Sequence, residues 1–135
     1  MNVTLTKHHG LGNDFLVCDG SQVGADADWG ALARAWCDRR RGIGADGLLS
    51  LTFLGNPATT TELAMALHNA DGSRAEMSGN GIRCLVQAAA MGQARTDPVT
   101  YRVHTDAGLR EVDVVPLDEG TIQASVSMGA VEAMD

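Results

Sequence analysis

Residues Asn69–Gly92 read N-A-D-G-S-R-A-E-M-S-G-N-G-I-R-C-L-V-Q-A-A-A-M-G, and the rest of the chain can be understood around this segment. Its first half is polar and rich in glycine, whereas its second half is apolar around most of a helical circumference. A helix that is apolar on nearly every side is typical of a protein core. The segment therefore predicts a loop that leads into a buried helix, with Gly92 as the C-terminal stop of that helix.

The start of this helix is a candidate site for chemistry. Ser78 and Asn80 are both good N-cap residues, and Gly79 and Gly81 allow a small molecule to approach the backbone closely. The free N–H groups and the positive end of the helix dipole favour a bound carboxylate or phosphate. A structural interpretation is equally open at this point: Ser78 or Asn80 only caps the helix, and the glycines only permit the turn.

Length and charge narrow the class of protein. A chain of 135 residues is long enough for one domain with a real core. It carries 10 Lys and Arg residues against 17 Asp and Glu residues, which gives a net charge of -7 and argues against nucleic acid and membrane surfaces as partners. No apolar run approaches membrane-spanning length, and the polar N-terminus lacks the apolar core of a signal peptide, so we expect a cytoplasmic protein.

Cysteine and histidine residues give no sign of a metal site. Cys18, Cys37 and Cys84 are scattered and fit neither a disulfide framework nor a zinc pattern, so we expect reduced and mostly buried thiols. The histidines have no metal-ligand spacing beyond the adjacent pair His8 and His9. The sequence therefore predicts no bound metal.

Hydrophobic periodicity predicts a second helix and about seven strands. The helix is amphipathic, is capped by Asp26 or Asp28, and is followed by Arg39–Arg41, which a solvated helix end explains better than a phosphate site. The predicted fold is a single α+β domain over residues 1–135, with a curved mixed or antiparallel sheet wrapped around the central apolar helix and an antiparallel meander formed by the last three strands. The predicted strands are Asn2–Thr6, Phe15–Cys18, Leu48–Leu54, Glu62–His68, Val99–Thr105, Leu109–Val115 and Thr121–Met128.

Two further segments are rich in glycine. The loop K-H-H-G-L-G-N-D lacks the third glycine of a dinucleotide fingerprint, and it predicts a tight turn that presents Asn13 and Asp14, either to a ligand or to the local backbone. R-G-I-G-A-D-G, residues 41–47, lacks the Lys-Ser/Thr pair of a phosphate loop.

Taken together, three motifs resemble the N-terminal half of diaminopimelate epimerase. They are K-H-H-G-L-G-N-D-F (Lys7–Phe15), R-G-I-G-A-D-G (Arg41–Gly47) and N-A-D-G-S-R-A-E-M-S-G-N-G-I-R-C (Asn69–Cys84). The resemblance implies an epimerase that interconverts LL- and meso-diaminopimelate without pyridoxal phosphate or another cofactor, in lysine and cell-wall precursor synthesis. It also implies two similar domains with the substrate between them, one cysteine from each facing the substrate α-carbon, and a tendency to form homodimers.

The resemblance also assigns roles to single residues. Asn13 and Asn69 would hold the distal amino and carboxyl groups of the substrate, while Gly79 and Asn80 would hold its α-carboxylate. The catalytic position is occupied by Ser78, where the family has cysteine in M-C-G-N-G. An alcohol is not ionised at neutral pH, so serine is a poor base for a Cα–H.

Two more features bear on activity. Cys84 is a poor substitute for the missing thiol, because six residues of helix place it about 9 Å along the axis from Ser78 and on a different side. The chain ends at Asp135, near where the second domain of the family would begin. We therefore expect the C-terminal domain to be absent from this chain and the chain alone to be inactive. Some family members also carry glutamine where Gly47 stands.

Two alternative functions remain open. In the wider superfamily, a hydroxyl residue in place of one cysteine accompanies hydroxyproline dehydration, although the diaminopimelate-like motifs argue against that branch. The other alternative is a non-catalytic amino-acid-binding or scaffold domain that kept the anion-holding loop and lost the base.

Overall fold

A single mixed sheet forms most of the molecule. The computed structural model describes residues 3–10, 12–117 and 122–127, which contain eight strands and two α-helices. The helices are α1 (Trp29–Cys37) and α2 (Gly79–Gly92), and a short 3-10 helix covers Gly20–Gln22. The strands are β1 (Leu5–Gly10), β2 (Asn13–Asp19), β3 (Gly47–Phe53), β4 (Glu62–Asn69), β5 (Arg74–Ala75), β6 (Val99–Thr105), β7 (Gly108–Pro116) and β8 (Ile122–Ser127).

The strand order is β1-β2-β3-β4-β6-β7-β8, and the two-residue strand β5 pairs with β4. The pairs β2–β3 and β4–β6 are parallel because α1 and α2 are their crossover connections, and the other pairs are antiparallel. The predicted α+β class and the antiparallel meander of the last three strands are both confirmed. The predicted ends of the last strand, Thr121 and Met128, lie outside the described residues.

Helix α2 is the centre of the main core, as its sequence predicts. Ile82, Leu85, Val86 and Ala89 are fully buried against the inner face of the sheet. An exposed strip along the helix includes Met91, which is 48% exposed. Helix α1 covers a smaller core on the other face, and the side chain of Asp28 caps it by accepting a hydrogen bond from the N–H of Ala31.

Helix α2 ends where it was predicted to end, but the residue in the left-handed conformation is not a glycine. Gly92 is the last helical residue, and the left-handed conformation belongs to Ala94, with φ 54°. An alanine tolerates this conformation because its neighbours Gln93 and Arg95 hold the segment in place. Their side chains donate hydrogen bonds to the carbonyls of Thr60 and Thr59, each at 2.8 Å.

The first hairpin is also longer than predicted. Strand β1 covers Leu5–Gly10, whereas the prediction was Asn2–Thr6, of which Asn2 lies outside the described residues. Asn13 and Asp14 belong to β2 instead of a loop. Gly10 pairs with Asn13, so the connection shrinks to a turn in which Gly12 has φ 94°. The polar residues in this segment hid the strand, because β1 lies at the edge of the sheet and does not need an apolar pattern on both faces.

Candidate active site

Three neighbouring strand ends meet beside the start of α2. The register pairs Phe15 with Gly47 and Gly47 with Asn69, so the start of β2, the start of β3 and the end of β4 lie side by side. Side chains alternate along a strand, so Asn13 shares the inner face with buried Phe15, and Asn69 shares it with buried Leu67. Both predicted substrate-binding asparagines therefore lie on the face that packs against α2.

Gly47 lies between these two asparagines and leaves little room for a side chain. A Cβ atom at this position would lie 3.0 Å from the carbonyl oxygen of His68 and 3.3 Å from Cδ1 of Phe15. Close packing of the sheet therefore accounts for glycine here.

Ser78 is the N-cap of α2, which confirms the prediction that it caps this helix. Its Oγ accepts a hydrogen bond from the N–H of Gly81 at 3.1 Å. Among the residues that the structure describes, the N–H groups of Gly79 and Asn80 have no acceptor. A Cβ added to Gly79 would meet no atom within 4 Å, so the helix is open at Gly79 in the described part of the chain. The N-terminal end of α2 can therefore offer two backbone N–H groups and the positive end of the helix dipole to an anion.

Asn13 and Asn80 are in direct contact. The Nδ2 group of Asn80 donates to Oδ1 of Asn13 at 3.1 Å, and Nδ2 of Asn13 donates to Oδ2 of Asp46 at 3.3 Å. Asn69 is not part of this chain of hydrogen bonds. Its side chain donates to Ser73 Oγ at 3.1 Å within the turn that follows β4.

Sequence reasoning missed the carboxylate pair beneath Asn13. The backbone N–H of Asp14 donates to the carboxylate of Asp46 at 2.9 Å, and the N–H of Asp46 donates to the carboxylate of Asp14 at 3.0 Å. Arg39 binds both: two of its nitrogens donate to Asp14, at 2.9 and 3.2 Å, and one donates to Asp46 at 3.2 Å. The Arg39 guanidinium, followed by hydrogen bonds to Asp46 and a lysine at position 7, holds the pKa of Asp14 well below its usual range.

Arg39 is exposed near the end of α1, as a solvated helix end predicts, but it also binds the two carboxylates. Helix α1 ends at Cys37, and the chain then folds back so that the N–H groups of Ile43 and Gly44 both bind the carbonyl of Trp36. Gly44 has φ 90° and lies against Arg39, with only 3.1 Å between an added Cβ and the arginine Cγ. The R-G-I-G-A-D-G motif thus orients Arg39 and Asp46. An aspartate at the start of one parallel strand and another directly before its neighbour, Asp14 in β2 and Asp46 before β3, were the signal that could have revealed the cluster.

The cysteines are free and buried, as expected. Burial raises the pKa of Cys84 to about 11, and this thiol points toward Gly10 of β1, where an added Cβ would lie 3.5 Å from its Sγ. Ser78 instead lies at the capped end of the helix.

Within residues 3–10, 12–117 and 122–127, no cluster of three or more His, Cys, Asp or Glu residues could hold a metal ion. No helix in the described part of the chain is long and apolar enough to span a membrane.

Comparison with known proteins shows which family this chain resembles. The sequence profile of diaminopimelate epimerase matches residues 5–134. The diaminopimelate epimerase of Microcystis aeruginosa is 41% identical over 130 residues, which cover 96% of this chain and 44% of that protein. The enzyme of the same name from Methanocella arvoryzae is 43% identical over 128 residues, covering 94% and 44%. The chain thus spans less than half the length of these curated relatives.

Solved structures with low identity support the fold. A hydroxyproline epimerase from Agrobacterium vitis, with trans-4-hydroxy-L-proline bound, has a TM-score of 0.64 and 18% identity over 92% of this chain and 40% of that one. A probable proline racemase from Agrobacterium radiobacter has a TM-score of 0.65 and 16% identity, covering 92% and 41%. The fold agrees with the profile and with the sequence identity to the curated relatives, and on this evidence the chain belongs to the diaminopimelate epimerase family.

Proposed function

We propose that this chain is the N-terminal half of an amino-acid epimerase that interconverts LL- and meso-diaminopimelate in the cytoplasm. The whole protein would transfer protons at Cα with two bases and no pyridoxal cofactor. In this proposal Asn13 and Asn69 hold the distal amino and carboxyl groups of the substrate, and the amides of Gly79 and Asn80 hold its α-carboxylate. Ser78 occupies the position of the first catalytic base.

One observation carries the proposal: α2 is open at Gly79, and the amides of Gly79 and Asn80 have no acceptor among the described residues. Gly79 faces free space, and Asn80 next to it contacts Asn13. A carboxylate bound there would place the neighbouring α-carbon of an amino acid close to residue 78. A cysteine at this position would be ionised more easily by the helix dipole, whereas serine keeps its proton.

The second base would come from a C-terminal domain. The curated relatives are more than twice as long as the matched region, which leaves room for that domain. A two-base reaction needs an acid on the face opposite to the base, so we propose that residues 1–135 alone do not catalyse epimerisation.

Proton exchange at Cα tests the proposal. The whole protein that contains this chain, with Ser78 and with Ser78→Cys, is incubated with LL-diaminopimelate in deuterated water, and both Cα–H loss and configuration are followed. We expect exchange and epimerisation with the cysteine form and none with the serine form. Equal turnover by both forms would show that the base lies elsewhere.

A second candidate, a non-catalytic amino-acid-binding domain, is favoured by the role of Ser78 as a helix cap. Its Oγ already accepts the hydrogen bond from Gly81, and the structure shows no titratable side chain bound to it among the described residues. In that case the whole protein binds diaminopimelate, and Ser78→Cys still gives no exchange. Loss of water from hydroxyproline would instead point to the dehydratase alternative.

A further inference from the structure

The carboxylate of Asp46 controls the orientation of two asparagine side chains. An ionised carboxylate can only accept hydrogen bonds, so the group that Asn13 turns toward Asp46 must be its NH₂. The carbonyl oxygen of Asn13 then faces Asn80, and Asn80 must in turn present its own NH₂ to that oxygen. The direction of both amides is thus set at Asp46, outside the open first turn of α2.

Arg39 fixes the position of Asp46. The same guanidinium nitrogen that donates to Asp14 at 2.9 Å also donates to Asp46 at 3.2 Å, so one planar cation joins both carboxylates. Asp14 is well enclosed, with 14% of its side chain exposed, and therefore anchors the arginine. Such a bidentate arrangement restricts direction as well as distance, which a lysine could not do equally well.

We propose that Arg39 and Asp46 are positioning residues for substrate binding in this family member. Arg39 holds the Asp46 carboxylate, which keeps the NH₂ of Asn13 as a donor and leaves its second N–H directed away from Asp46 and available to a ligand. Neither residue contacts the substrate itself. The inference rests on the proposed function for its substrate, but the geometry of Asn13 can be measured without it.

Side-chain amide signals in nitrogen-15 NMR spectra test the geometry. The chain is compared with Arg39→Met, which keeps the length of the side chain and removes its charge, and with Asp46→Asn, which keeps the shape. We expect the NH₂ protons of Asn13 and Asn80 to move upfield in both variants, because a charge-assisted hydrogen bond is lost. Arg40→Met is the matched control, since it removes the same charge from the adjacent residue and should leave both signals in place.

Calorimetric titration of the whole protein with LL-diaminopimelate tests the consequence. The Ser78 form is suited to this measurement, because we expect it to bind without turnover. Arg39→Met and Asp46→Asn should weaken binding about tenfold, which is roughly 1.4 kcal/mol, while Arg40→Met keeps the wild-type affinity.

The outcomes separate the two proposals. An Asn13 signal that stays in place in both variants overturns the inference, and so does a moved signal with unchanged affinity for diaminopimelate. If the wild-type protein does not bind diaminopimelate, the proposed function is wrong, and the Asn13 signals alone then decide whether Arg39 fixes this amide. The indole signal of Trp29 shows whether each variant is folded. If Arg39→Met unfolds, the isosteric Asp46→Asn variant carries the test.

Discussion

The two ends of helix α2 are held in opposite ways. At the C-terminal end, Gln93 donates to the carbonyls of Pro57 and Thr60 and accepts hydrogen bonds from Tyr101 and Arg95. At the N-terminal end, Ser78 satisfies one amide, and two more have no acceptor in the described structure. The same helix is therefore anchored by its own chain at one end and open to a ligand at the other.

This difference separates stability from function along a single element. The buried hydroxyl of Tyr101 donates to Gln93 at 2.6 Å, and the Arg95 guanidinium lies 5.9 Å from the centre of the tyrosine ring. A helix anchored this firmly can leave amides free at its other end, because the fold does not depend on them. Variants at the C-terminal end should change stability alone, whereas variants at the N-terminal end should also change binding.

The largest effect should come from Gln93→Ala. The substitution removes four hydrogen bonds and leaves the buried hydroxyl of Tyr101 without its acceptor, so we expect a loss of about 3 kcal/mol in the free energy of unfolding. Urea denaturation measures this loss, and Tyr101→Phe, which removes only the hydroxyl, should lose about 1 kcal/mol. A Gln93→Ala loss no larger than that of Tyr101→Phe would show that the end of the helix is not anchored as described.

Acid should weaken the contribution of Asp14, which lies near the N-terminal end of α2. The pKa of Asp14 is lowered in the folded state, chiefly by Arg39, from an ordinary value of 3.8. Its contribution is therefore fully present above about pH 4 and is lost as the pH falls toward the folded pKa. Asp14→Asn should cost about 2 kcal/mol at neutral pH, and the difference from the wild-type protein should shrink below about pH 4.

Unfolding in urea at a series of pH values checks this prediction. Gln93→Ala serves as the comparison, because no carboxylate takes part in the hydrogen bonds of Gln93. Its cost should stay constant as the pH falls. A constant cost for Asp14→Asn as well would contradict the role of its charge.

Local sequence signals account for what was predicted correctly. The apolar pattern of residues 82–91 and the cap residue Ser78 act within a few turns of helix, so the sequence alone reveals α2 and its start. The Asp14–Asp46 pair was missed because its partners are 32 residues apart and meet only through the parallel β2–β3 register. The left-handed conformation of Ala94 was not predicted because distant carbonyls stabilise it, whereas glycine is the usual residue in this conformation.

A smaller effect is expected at the cap itself. Ser78→Ala removes the acceptor of the Gly81 N–H and should cost about 1 kcal/mol in unfolding free energy. Ser78→Gly should cost only a few tenths of a kcal/mol, because glycine is itself a well-tolerated N-cap residue. If Ser78→Ala were as stable as the wild-type protein, the cap would contribute nothing, and the role of Ser78 would have to be purely chemical.

Two glycine replacements should change stability in the opposite direction. Gly79 and Gly92 lie in the first and last turns of α2, and an added Cβ at either position would meet no atom within 4 Å. Alanine restricts the unfolded chain, so Gly79→Ala and Gly92→Ala should each stabilise the protein by about 0.5 kcal/mol. The two variants are therefore a matched pair at the two ends of one helix.

Their effects on binding should differ. The methyl group of Gly79→Ala fills part of the open space at the amides that we propose for the α-carboxylate, so calorimetry should show weaker binding of LL-diaminopimelate by the whole protein. Gly92→Ala should bind as the wild-type protein does. Equal affinities would place the ligand away from α2, whereas weaker binding by a more stable variant would show that Gly79 is retained for the ligand, because the fold gains from its replacement.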